Sequence, residues 1–224
     1  MQYNRPRSTA TWGINAKDWE AGINYEKLRK DRLERAQSAC AEAGFGAFLC
    51  FNFDNLRYIT STHIGEWGRD KFDRYCLCPT DSAPFLWDPA PPAKRKSSPW
   101  LGNRVDAPVS TMQGSIPPEH GVQNVFAKQI KEKMVELGIE KQPLGIDVME
   151  LPMLRALEQE GVEVVDGQQA LMNAREVKTE EEIELLKVAA AMVDATYLDI
   201  AKAIRPGAKE SDLVAIANDK LYGM

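Results

Sequence analysis

Cysteine and histidine are scarce in this 224-residue chain, with four of the first and two of the second. Cys40, Cys50, Cys76 and Cys78 form no CxxC pair, which excludes zinc-ribbon and thioredoxin-like readings. Cys76 and Cys78 stand two apart in a strand-like run and share a face, as buried reduced thiols do. His63 and His120 have no partner at metal-ligand spacing, so each reads as a packing or surface residue. No glycine-rich phosphate loop, P-loop or GxSxG elbow is present, which argues against nucleotide binding and serine hydrolase chemistry. No apolar run approaches the ~20 residues that cross a bilayer. The amino-terminal stretch has no apolar signal core, so a cytoplasmic protein is expected. The net charge of −5 gives no basic face for phosphate, and nucleic acid is not expected as a partner. The one dense basic run, Lys94-Arg95-Lys96, reads as an exposed loop, and the Pro-rich residues 89–99 around it as a loop with a helix start.

What is present is ordinary globular composition, 44% hydrophobic and 27% charged. Residues 1–24 show no period and read as an arm, with Trp12 and Trp19 too large to leave in water. A helix is predicted from Tyr25 to Ala43, with a stripe of Leu28, Leu33, Ala36, Cys40 and Ala43, and Arg29, Lys30, Arg32 and Glu34 facing water. GAFLCF then reads as a buried strand, and FDNLRYITS as a short helix capped at Asp54 or Asn55. DRYCLCP and APFLWDP read as strands around a PTDS turn, and DAPVST as another. A helix follows from about Glu119 to Leu137, then a strand from Leu144 to Val148. Next come a helix with Pro152 in its first turn and a stripe of Leu151, Leu154 and Leu157, and a strand from Val162 to Asp166. Alternating helices and strands imply a three-layer α/β domain over residues 25–172, with a mixed sheet covered on both faces.

From Thr179 the signals sharpen. Thr179 and Glu182 make a capping box, and acidic residues crowd the helix start. Ile183, Leu186, Ala190, Val193, Tyr197, Ile200 and Ile204 read as one core-facing stripe ended by Pro206-Gly207. A second helix starts near Glu210, with Leu213, Ile216 and Leu221 apolar. Two such helices leave a stripe that wants a sheet, so a fragment of a longer protein is expected.

Arg175, Lys178, Thr179, Glu182, Ile183, Arg205, Gly207 and Glu210 resemble the entry into the catalytic domain of the creatinase/prolidase/aminopeptidase P superfamily, the pita-bread peptidase M24 enzymes. GFGAFLCFNFDNLRYITS and LGIEKQPLGIDV resemble that superfamily's N-terminal domain. The stretches from Asp18 and from Asn55 look closest to its dimethylsulfoniopropionate lyase branch. The resemblance implies a creatinase N-terminal-like α/β domain, then residues 173–224 as the first two helices of an incomplete pita-bread α+β domain. It implies a parent that is a metal-dependent hydrolase (Xaa-Pro peptidase or creatinase-like) or lyase, with a divalent metal pair of Mn, Fe, Co or Zn. The ligands of that pair would lie beyond Met224, so this chain alone is not expected to catalyse. The substrate would be a small carboxylated molecule: a proline dipeptide, a creatine-like compound or a sulfonium acid. The alternative is a stand-alone, non-catalytic binding or dimerisation module.

One loop invites a functional reading. THIGEWGRDKFDR sets Trp67 and Phe72 among Arg69, Lys71 and Arg74, with flexible glycines. Arginine clamps a carboxylate and an aromatic ring shields a cation or apolar group. The resemblance implies a homodimer in which Trp67, Arg69, Phe72 and Arg74 contact the substrate of the neighbouring subunit. It also implies Trp19 as a pocket wall.

Overall fold

The computed structural model describes residues 22–63, 73–109 and 116–224. The chain divides into two compact units, Arg29–Val177 and a smaller one of Met1–Leu28 with Lys178–Met224.

In the larger unit a six-stranded mixed sheet has the order β4-β3-β2-β1-β5-β6. Its strands are β1 (Ala47–Cys50), β2 (Tyr75–Pro79), β3 (Phe85–Trp87), β4 (Val105–Asp106), β5 (Leu144–Ile146) and β6 (Val164–Asp166). β1, β2 and β3 pair antiparallel, while β3 with β4, β1 with β5 and β5 with β6 pair parallel. The helices are α1 (Tyr25–Glu42), α2 (Phe53–Thr60), α3 (Pro91–Ser97), α4 (Val122–Glu136), α5 (Leu151–Gln159) and α6 (Gln168–Glu176).

Strand alternation divides the core in two. Ala47, Leu49, Phe51, Tyr75 and Leu77 pack with Phe126, Ile130 and Met134 of α4 and with Met153 and Leu157 of α5. Phe48, Cys50, Cys76 and Cys78 pack on the other face with Ala36 and Cys40 of α1, Leu56 and Ile59 of α2 and Leu171 of α6. All four thiols are thus buried and free on one face. This is the three-layer mixed α/β fold expected.

The details differ in informative places. Asn52, not Asp54 or Asn55, caps α2, and its side chain accepts from the N–H groups of Asp54 and Asn55. Arg29 and Arg32 do not simply face water, because their guanidinium groups lie 4.4 Å and 5.3 Å from the rings of Trp100 and Tyr58. α5 buries Met153, Ala156 and Leu157, while Leu151 stays exposed. The Pro-rich stretch, read as a loop with a helix start, forms the helix α3. α6 was not legible, since its nine residues carry few large apolar positions.

Close backbone approach pins β5 to the start of α6. A Cβ on Gly167 would meet the carbonyl carbon of Gly145 at 2.8 Å and the amide nitrogen of Ile146 at 2.9 Å. Only glycine fits there.

In the smaller unit α7 (Glu180–Ala203) and α8 (Glu210–Gly223) form a helical pair. The capping box is present: Thr179 accepts from the N–H of Glu182, whose carboxylate accepts from the N–H of Thr179. Asp199 accepts from Lys202 at 3.1 Å and from Lys220 of α8 at 3.0 Å. The expected core stripe is not covered among the described residues. Ile183, Leu186, Val193, Tyr197 and Ile204 are all exposed. Among the described residues no helix is long and apolar enough to cross a membrane.

Candidate functional site

The loop singled out above leaves α2 at His63 and returns at Arg74. Trp67, Arg69 and Phe72 lie outside the described residues, as does Trp19. The two ends of the loop are described, and they meet in a buried polar cluster.

α2 ends in a left-handed turn at Ser61, with φ of 51°, the one non-glycine residue with positive φ among those described. Its N–H closes the helix on the carbonyl of Arg57. Its hydroxyl is buried and finds no partner among the described residues. On either side, Thr60 and Thr62 form a relay whose direction is fixed. Thr60 Oγ1 donates to the Leu56 carbonyl at 2.7 Å, since a carbonyl can only accept. It must then accept from the Thr62 hydroxyl at 2.7 Å. The Thr62 oxygen in turn accepts from Arg74 Nη2.

Arg74 is only 2% exposed and donates from Nε to Asp88 Oδ2 at 2.8 Å. Lys94 Nζ reaches the same oxygen at 3.8 Å and donates to the His63 carbonyl at 2.7 Å. Asp88 Oδ1 accepts from the Ala90 N–H at 3.0 Å. Trp100 Nε1 donates to the Thr60 carbonyl at 2.8 Å. The end of β3, the first turns of α3 and the exit of α2 are thereby tied at one point. The electrostatics are those of a crowded, desolvated pair. Burial pulls the Arg74 guanidinium down from its ordinary value, and Asp88 opposes that. Burial also lowers Lys94, with Asp88 raising it and the neighbouring Arg74 lowering it further.

Arg74 was expected to contact the substrate of a neighbouring subunit. In the structure its Nε and Nη2 donate to Asp88 and Thr62 of its own chain. Asp88, Lys94 and Thr62 were missed. Asp88 sits just past a three-residue strand, in a segment whose sequence signals only that strand. Lys94 was read as exposed because its neighbours in sequence are basic, yet its side chain is 13% exposed.

A second polar node lies at the carboxyl ends of β1 and β5. Half-buried Asp147 accepts from the N–H groups of Phe51, Asn52 and Val148 and from Asn55 Nδ2, at 2.7–3.1 Å. Burial raises its carboxyl above the usual range, against the pull of those four bonds.

Among the described residues no three His, Cys, Asp or Glu side chains are grouped as a metal ion would require. His63 sets its ring edge-on to Phe53 at 5.8 Å, and His120 lies in a short helical turn after Pro117. The residues described do not fit a dinuclear metal centre.

The fold matches solved structures. A prolidase from Thermococcus sibiricus superposes with a TM-score of 0.62 and 20% identity, over 86% of this chain and 49% of that one. The Xaa-Pro dipeptidase from Bacillus anthracis gives a TM-score of 0.61 and 20% identity, over 87% of this chain and 49% of the dipeptidase. The chain has the creatinase/prolidase N-terminal-like fold. In sequence it is similar to the dimethylsulfoniopropionate lyase DddP of Roseovarius nubinhibens, 25% identical over 175 residues, which are 74% of this chain and 38% of the lyase. The DddP of Roseobacter denitrificans is 26% identical over 171 residues, 72% of this chain and 37% of the lyase. The chain thus spans less than two fifths of these curated relatives and about half of the solved chains. No family model matches it.

Proposed function

We propose that this chain is the N-terminal, substrate-access and dimerisation portion of a metal-dependent enzyme of the prolidase-like superfamily, acting on a small carboxylated substrate. The observation that carries the reading is sequence similarity to two lyases over more than 70% of the chain, together with the prolidase-like fold. The likeness to peptidases is at the level of fold alone, whereas the similarity in sequence is to lyases. That contrast favours a sulfonium acid over a proline dipeptide. In this reading the divalent metal pair belongs to a longer parent. Trp67, Arg69 and Phe72, with Trp19 as a wall, contact the substrate of a neighbouring subunit, and Arg74 holds their loop at its base.

The test starts with the mass of the native gene product in its own cells. A product well above 25.1 kDa is then assayed with dimethylsulfoniopropionate and with Xaa-Pro dipeptides, before and after metal removal. Metal-dependent cleavage of the sulfonium acid that falls in Arg69→Ala supports the proposal. A product near 25.1 kDa with no activity refutes it. The surviving reading would be a binding or dimerisation module.

A further inference from the structure

The cluster at the loop base carries more positive charge than its bonds use. Arg74 Nη1 is buried and has no acceptor among the described residues. The Ser61 hydroxyl bonds to neither cation, and the other local acceptors are already engaged. Thr62 Oγ1 takes Nη2, Asp88 Oδ2 takes Nε, Asp88 Oδ1 takes the Ala90 N–H, and the His63 carbonyl takes Lys94. Arg74 and Lys94 both lie within 4 Å of one carboxylate oxygen, so two cations share one buried counter-charge. Asp73, next in the chain, exerts the weakest of the attractions on Arg74. Lys94 keeps the largest exposure of the three ionic side chains, 13% against 2% and 3%. A buried guanidinium N–H without an acceptor is costly, and an uncompensated buried cation more so. The group that relieves both is an acceptor carrying one negative charge.

We infer that Arg74 and Lys94 bind a small monovalent anion, a halide or a formate-sized carboxylate, which accepts from Arg74 Nη1 and balances the second cation. The anion completes the tie between β3, α3 and the exit of α2, so loop-base order depends on it. This binding is a property of the single chain and is independent of the parent's reaction.

The experiment uses the full chain at fixed ionic strength, replacing bulky sodium gluconate stepwise with sodium chloride or sodium formate. The Tm should rise with the logarithm of chloride or formate concentration. The Arg74 Nε–H resonance in ¹⁵N spectra should shift along a saturable curve. Lys94→Met should weaken the apparent affinity about tenfold, the loss of one charged partner. Lys128→Met, an exposed lysine on α4, should leave it unchanged. Response to either anion supports the site and identifies its occupant. Equal loss in Lys94→Met and Lys128→Met, or an Arg74 resonance that does not move, overturns it. If Lys94→Met folds poorly, Lys94→Gln and the wild-type resonance carry the decision.

Discussion

Removing the charge of Asp88 is the sharpest perturbation of the loop base. The Asp88 side chain is 3% exposed and is the counter-ion of Arg74, which is 2% exposed, at 2.8 Å. Asp88→Asn keeps the shape and an acceptor oxygen. It leaves Arg74 and Lys94 with no carboxylate within 4 Å among the described residues. Breaking one partner of a buried pair costs about 3–5 kcal/mol, because the surviving charge stays desolvated. In a domain of this size that lowers Tm by roughly 6–20 °C. The pair itself need not be a net gain over a hydrophobic replacement. The double change Arg74→Met with Asp88→Leu should therefore recover most of the loss. Urea unfolding followed by circular dichroism measures all three chains. If Asp88→Asn stays within about 1 kcal/mol of wild type, the range of a surface pair, the cluster is solvated in solution and the argument fails.

Asp147→Asn should destabilise, because an amide turns a donor toward backbone N–H groups that the carboxylate accepted. The Asp147 carboxyl is raised in the fold, so it binds its proton more tightly folded than unfolded. Its contribution is full below the unfolded value, falls as pH rises through the folded one, and is flat above. The difference between wild type and Asp147→Asn should shrink over that acidic window in urea titrations at stepped pH. Gly167→Ala forces a Cβ to 2.8 Å from the Gly145 backbone and should cost about 1–3 kcal/mol, measured as a drop in Tm. The four thiols should resist a disulfide reagent until denaturant is added, since all are fully buried and burial pushes Cys40 up to about 12. The chain should bind a hydrophobic dye. Serine at Ile183, Leu186, Val193 and Tyr197 should abolish that signal with little change in Tm, because each is at least 42% exposed.

The amino-acid order by itself determined whatever depends on neighbours within one turn or one pleat. The 3–4 spacing of α1, the turn between β2 and β3 and the Thr179–Glu182 box are local, and each formed where the residues placed it. The alternation Tyr75, Cys76, Leu77, Cys78 likewise set two faces before any partner was known. Tertiary structure decided what depends on residues far apart. Met153 and Ala156, with Leu157, pack into the core beside the sheet, a choice the leucine spacing could not make. Lys94 is held in because Asp88 and His63 converge on it from two other elements, although its own neighbours are basic and exposed. The stripe on α7 is apolar by sequence and open by structure, since a helix face acquires a core only when another element is laid against it.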